Sequence, residues 1–245
     1  MNGSLHSDGE VCWLDLGVDD PDAAVAFYGR LLGWQVGPGD EMGYRVATLD
    51  GRPVAGFGSA EDPGQPYWTV YLQTGDIRAS VKAVQAAGGT VLVRPTTVPG
   101  VAVTAVVRDH GGGPLSLWQP LGFPGTLPPG GPGTLAGVRL RIGQLIRTRA
   151  FLDAVLGWVP LPDGRILCAG RAVATWAPKR LGEPNPAPSP WLATFAVADV
   201  AAATERALRL GASRVAGDPQ VLTDPAGARF GLVAVADSAE QSEAE

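Results

Sequence analysis

An eight-residue phrase occurs twice in this chain. Phe27-Tyr-Gly-Arg-Leu-Leu-Gly-Trp34 returns as Phe151-Leu-Asp-Ala-Val-Leu-Gly-Trp158, 124 residues later. Trp68, Asp76 and Gly88 reappear in step as Trp191, Asp199 and Gly211, each at an offset of 123. Asp109 and its glycines correspond to Asp224-Pro-Ala-Gly227 at 115, so one late loop is shorter in the second copy. Self-similarity at a fixed spacing restricts the fold to two copies of one roughly 110-residue module. Residues 9–120 form the first copy and 135–237 the second. The Pro- and Gly-rich stretch 121–134 reads as a crossing linker, and 238–245 as an acidic disordered tail.

Each copy reads β-α-β-β-β twice over. Val11–Val18 alternates as a strand does, and Asp19-Asp20-Pro21 supplies a helix start with a capping carboxylate and a first-turn proline. Ala23, Ala24, Phe27, Leu31 and Leu32 recur at three- and four-residue spacing, and Gly33 stops the helix. Asp50-Gly51 between two alternating runs predicts a hairpin. A strand follows at Trp68–Leu72, then a helix over Asp76–Ala87 ended by Gly88-Gly89, and three more strands to Gln119. The second copy repeats the order, with Asp163-Gly164 at its hairpin turn and a further Pro-rich stretch over 178–190.

Strand, Asp-Pro, a helix with Phe-Tyr and Leu-Gly-Trp, Trp-x-x-Tyr before Asp, Gly-Gly, and Asp-x-x-Gly with Leu-Trp-Gln together resemble the vicinal-oxygen-chelate superfamily. Its members include glyoxalases, extradiol dioxygenases and bleomycin-resistance proteins. The resemblance covers residues 11–120 closely and 135–235 more loosely, and is nearest to bacterial proteins with two modules in one chain. It implies an α+β fold of tandem βαβββ modules, each a curved half-barrel, that cup a cavity between them. Enzymes of the superfamily hold a divalent metal through His or Glu on the first strand, the strand after the hairpin and the last strand. Here those positions fall on Trp13, Trp68 and Ser116, and in the second copy on Gly137, Trp191 and Gly231. None offers the imidazole or carboxylate such a metal needs, so no metal and no cofactor is expected. The histidines are His6, in the N-terminal tail, and His110, in a Gly-rich turn.

Other chemistries lack their motifs. Gly111-Gly-Gly113 has no following Lys, no Gly-x-Ser-x-Gly elbow occurs, and no Cys–His pair has recognisable spacing. A formal charge of −5 without a basic run argues against nucleic acid. No apolar stretch is long enough for a membrane span, and the polar start does not resemble a secretion signal. Cys12 and Cys168, one per copy, fit reduced thiols in a cytoplasmic protein, as a monomer or a homodimer.

In the implied fold the metal positions face the cavity, and residues two further along share that face. Trp13 with Asp15, Trp68 with Val70, and Ser116 with Trp118 would form three walls. Arg139, Arg141 and Trp191 would line the second copy, and Tyr44 and Tyr71 could orient a ligand oxygen. The walls suit a planar apolar molecule, although the same rings could equally fill a vestigial cavity. Asp15, set in an aromatic wall, is suited to act as a general acid or base. Its repeat partner is Arg139, so a structural Asp15–Arg139 ion pair is the competing expectation. The sequence therefore points to metal-independent binding of a small apolar or aromatic metabolite or antibiotic. The alternative is a cofactor-free isomerase, cyclase or lyase of secondary metabolism using Asp15. A structural or signalling module with plugged cups is a third class.

Overall fold

The computed structural model describes residues 5–60, 64–108, 114–123, 125–126, 130–179 and 191–235. His110, Asp109, most of the second Pro-rich stretch and the acidic tail lie outside them. The first half runs β1 (Val11–Val18), α1 (Pro21–Leu32), β2 (Gln35–Val36), β3 (Arg45–Leu49), β4 (Arg52–Ser59), β5 (Tyr67–Gln73), α2 (Ile77–Ala86), β6 (Thr90–Val98), β7 (Ala102–Arg108) and β8 (Pro114–Pro120). The second half repeats it as β9 (Leu135–Ile142), α3 (Leu145–Leu156), β10 (Trp158–Pro160), β11 (Arg165–Cys168), β12 (Arg171–Pro178), β13 (Trp191–Val197), α4 (Val200–Arg209), β14 (Ser213–Val215), β15 (Asp218–Thr223) and β16 (Arg229–Ala234).

Local chemistry sets these boundaries. The Asp20 carboxylate accepts from the Ala23 N–H at 3.0 Å, Pro21 opens α1, and Gly33 closes it at φ 78°. Asp76 and Asp199 cap α2 and α4 in the same way. Asp50 (φ 52°) and Gly51 (φ 76°) turn β3 into β4 with both residues left-handed. Asp163-Gly164 turns β10 into β11, but a second tight turn brings β11 into β12. That turn is Ala169 (φ 48°) and Gly170 (φ 82°), and alanine there gives no turn signal in sequence.

Each half forms one open eight-stranded sheet, ordered β2-β3-β4-β1-β5-β8-β7-β6 and β10-β11-β12-β9-β13-β16-β15-β14. The first strands of the two βαβββ units meet antiparallel at the centre, and each is flanked by a parallel partner. The helix-bearing faces of the two sheets pack against each other, leaving their opposite faces as two cups. One shared core joins Leu14, Leu16, Phe27, Tyr28 and Trp68 of the first half to Phe195, Ala207 and Phe230 of the second.

Tryptophans tie the halves together. Trp34 Nε1 donates to Gly133 O at 2.7 Å, Trp158 Nε1 to Gly9 O at 2.8 Å, and Trp191 Nε1 to Pro114 O at 3.0 Å. Gly9 also donates to Gln73 O, so the segment before β1 bridges both halves. No regular element forms among the described residues of the connecting stretch. They are nevertheless packed, with Thr126 and Thr134 buried. Cys12 and Cys168 are free thiols. Among the described residues no helix is long and apolar enough to cross a membrane.

Candidate functional site

Register decides which side chains enter the first cup. Across the β1–β5 pair Trp13 stands opposite Tyr71, and Asp15 opposite Thr69, on the face away from the helices. Ser116 lies beside Tyr71, and Trp118 follows on the same face of β8. Trp13, Ser116 and Trp118 are buried. Trp13 Nε1 donates to Tyr44 Oη at 2.9 Å, and Asp15 Oδ2 accepts from Tyr71 Oη at 3.0 Å and from Tyr44 Oη at 3.5 Å. Burial pushes the Tyr44 phenol far above its ordinary pKa, and the Asp15 carboxylate adds to the shift.

The rings in this cup pack on one another. Phe123, from the connecting stretch, sits edge-on to Trp13 with centroids 4.9 Å apart and 6.1 Å from Trp118. Tyr71 lies 5.4 Å from Trp118. A side chain at Gly56 would collide with the Tyr44 hydroxyl and crowd Asp15 Cβ at 3.1 Å. Gly56→Ala is therefore expected to expel the Tyr44 ring and break its bonds to Trp13 and Asp15. A stability loss of about 1–3 kcal/mol should follow in urea unfolding. An unchanged midpoint would mean that Tyr44 contributes nothing to this cup.

Trp68 and Trp191 do not line a cup. Trp68 pairs in register with Leu16 and is 1% exposed. Its Nε1 donates to Tyr28 Oη at 3.1 Å inside the shared core. Val70 shares that helix-facing side. Trp191 pairs with Leu140 and packs edge-on to Trp158. Counting back from Asp76 and Asp199 lands one residue short on the strand, and one residue reverses the face. Thr69 and Tyr71, and in the second half Leu192 and Thr194, are the cup-facing residues.

The second cup is open. A cavity of about 490 Å³ is lined by Gly137 and Arg139 of β9, Val173 and Thr175 of β12, Leu192 and Thr194 of β13, Gln220 of β15, and Gly231 and Val233 of β16. No tryptophan lines it, contrary to the expectation of an aromatic wall. The repeat explains the difference: Trp13 becomes Gly137, Tyr71 becomes Thr194, and Trp118 becomes Val233. A Cβ added at Gly137 would meet nothing within 4 Å. Arg141 is half-buried and lies outside the cavity lining.

Arg139 does not pair with Asp15 as the repeat suggested, because β1 and β9 are the centres of different sheets. Its Nη2 instead donates to Asp218 Oδ2 at 3.3 Å, and its buried Nε has no acceptor among the described residues. The N-terminal segment closes one side of the cavity. Leu5, His6 and Glu10 all line it, so His6 belongs to a cavity wall rather than to a loose tail. His6 Nε2 donates to Thr126 O at 3.0 Å, and burial lowers its pKa. Glu10 pairs with Arg171 at 2.9 Å. No sequence pattern flagged this segment, because it reaches the cavity only through tertiary packing.

The donor set does not fit a divalent metal. The cup-facing residues nearest the superfamily's ligand positions are Trp13, Thr69 and Ser116 in one sheet and Gly137, Leu192 and Gly231 in the other. Among the described residues no cluster of three or more His, Cys, Asp or Glu could hold an ion.

Relatives share this architecture. Anthracycline biosynthesis protein DauV of Streptomyces sp. (strain C5) is 31% identical over 92% of this chain and 93% of its own length. The Mn(II)-bound glyoxalase from Novosphingobium aromaticivorans superposes with a TM-score of 0.66 at 15% identity, over 94% of this chain and 83% of that one. The 2,2',3-trihydroxybiphenyl 1,2-dioxygenase from Sphingomonas wittichii strain RW1 gives 0.61 at 17%, over 93% and 91%. At such identities these two structures establish the fold alone. The glyoxalase-like domain family matches residues 12–118 and 140–233, one match in each half, and the chain belongs to that family.

Proposed function

We propose that this protein binds a small planar organic molecule of secondary metabolism in the cup of its second sheet, without a metal. The observation that carries the reading is the contrast between the cups. The same strand positions hold Trp13, Tyr71 and Trp118 in one and Gly137, Thr194 and Val233 in the other; the first set packs its rings on one another, whereas the second lines a cavity of about 490 Å³. That volume lies within the usual range for ligand sites, and its mix of apolar walls with a few polar groups suits an organic ligand. The name of the DauV relative supports a polycyclic aromatic ligand, and two unbridged cysteines support a cytoplasmic setting.

The test is calorimetric titration with a tetracyclic anthracycline aglycone, with and without EDTA. One molecule bound per chain, with affinity unchanged by the chelator, is the expected result. No binding, or binding lost with EDTA, would refute the reading.

A second reading, proton transfer by Asp15 in an isomerase, cyclase or lyase, rests on that half-buried carboxylate and the two phenols bonded to it. Asp15→Asn separates the two readings. The binding reading keeps aglycone affinity within about twofold, since Asp15 is in the other cup, whereas a general acid or base would cost a factor of about 100 or more in turnover.

A further inference from the structure

We infer that the molecule held in the second cup is uncharged and docks a carbonyl oxygen on Arg139, with Asp218 making the site select a neutral ligand over an acid. The inference rests on the binding reading above and names the chemistry of its ligand.

The charged groups among the described residues of this cavity's wall are paired. Arg139 is held by Asp218 at 3.3 Å, with the two side chains 20% and 14% exposed. At the mouth, Arg171 is held by Glu10 at 2.9 Å. His6, the remaining titratable group among the described residues of the wall, is pushed by burial towards its neutral form. A guanidinium has five N–H donors, and Asp218 engages Arg139 through Nη2 only. The Nε–H is buried and has no acceptor among the described residues. The side chain lines the cavity and is 20% exposed, so an oxygen that enters the cup can accept from a guanidinium N–H that Asp218 leaves unused and gains a charge-assisted bond.

A carboxylate and a ketone would fare differently there. A carboxylate would put a second negative charge beside Asp218 in a partly desolvated space, where like charges oppose each other. A carbonyl oxygen accepts the same bond and adds no charge. Leu192, Val173 and Val233 offer apolar contact for the body of such a molecule, while Thr175, Thr194 and Gln220 can meet further hydroxyl or keto groups.

Three planar tricycles of nearly one shape test this: fluorene, 9-fluorenone and 9-fluorenone-2-carboxylate, titrated calorimetrically into the full-length protein at neutral pH. Wild type is expected to bind fluorenone roughly tenfold more tightly than fluorene, the size of one hydrogen bond to a charged group, and to bind the carboxylate more weakly than fluorenone. Arg139→Met should bring fluorenone and fluorene to equal affinity while retaining both. Asp218→Asn should make the carboxylate the best of the three ligands, because Arg139 then lacks this counter-charge. Fluorene and fluorenone binding alike to wild type would overturn the docking role of Arg139. The carboxylate binding best to wild type would overturn the selection of neutral ligands. Both outcomes leave the cavity reading standing, and both are read on the unmutated protein, so neither depends on how the variants fold. Failure of all three compounds to bind would remove the binding reading and this inference with it.

Discussion

Thr194→Tyr combined with Val233→Trp is expected to weaken ligand binding by a factor of about 100 or more, since overpacking a filled site costs about 1–3 kcal/mol per crowded contact. The two positions are the repeat partners of Tyr71 and Trp118, whose rings help to fill the first cup. Both face the cavity, and Val233 is 41% exposed, so the larger side chains have space to enter without displacing the core behind β16. The fold should therefore survive, with a thermal midpoint within a few degrees of wild type. Calorimetric titration with the anthracycline aglycone and a melting curve on the same sample check both halves of the expectation. A variant that melts normally and still binds with wild-type affinity would place the ligand elsewhere, the first cup included.

Tyr28→Phe is expected to cost about 3 kcal/mol of stability, as each of two buried polar groups loses one hydrogen bond at about 1–3 kcal/mol. The Tyr28 hydroxyl accepts from Trp68 Nε1 at 3.1 Å and donates to Asp224 Oδ2 at 2.9 Å, linking α1 of the first half to the loop before β16 of the second. Asp224 is 4% exposed, and its Oδ1 accepts from the Gly227 and Ala228 N–H groups, both at 2.9 Å. Removing one oxygen takes the partner of the indole N–H and the Tyr28 bond of the carboxylate Oδ2 in a core shared by both sheets. Urea unfolding measures the loss, and a change below about 1 kcal/mol would mean that water replaces the hydroxyl.

Burial raises the Asp224 carboxyl above its ordinary 3.8, and desolvation outweighs the hydrogen bonds that pull it down. The folded state therefore takes up this proton at a higher pH than the unfolded chain does. Its contribution to stability is fully present below 3.8 and is lost as pH rises through the folded-state value. Asp224→Asn lacks that proton, so wild type should gain stability relative to the variant as pH falls from neutral towards 4. A gap that stays constant over this range would show that Asp224 titrates as it does when unfolded.

Much of the architecture was legible because it is written locally. The helix starts at Asp20 and Asp76, the stop at Gly33, the turn at Asp50-Gly51 and the alternation of β1 all depend on neighbours in sequence. The doubled phrase at Phe27 and Phe151 then required the second half to copy the first. What went astray needed knowledge of distant partners. Counting from the helix caps places Trp68 and Trp191 on cup walls, but a strand's face depends on where the strand begins, and one residue inverts it. Asp15 and Arg139 match in the repeat but stand in separate sheets, and Asp218, 79 residues from Arg139, takes the pairing instead. A signal for the open cup was present in Gly137 and Gly231, small residues at positions where the first half carries Trp13 and Ser116. Those glycines lack bulk as well as metal-ligating groups. By itself the sequence determined two βαβββ pairs, the caps at Asp20 and Asp76, the turn at Asp50-Gly51, and the absence of metal donors at six positions, because these follow from local backbone chemistry and residue type. Only the tertiary structure decided that the first cup is filled and the second open. The filling depends on side chains brought in from elsewhere: Phe123 and Tyr44 over one sheet, and the segment around His6 at the rim of the other.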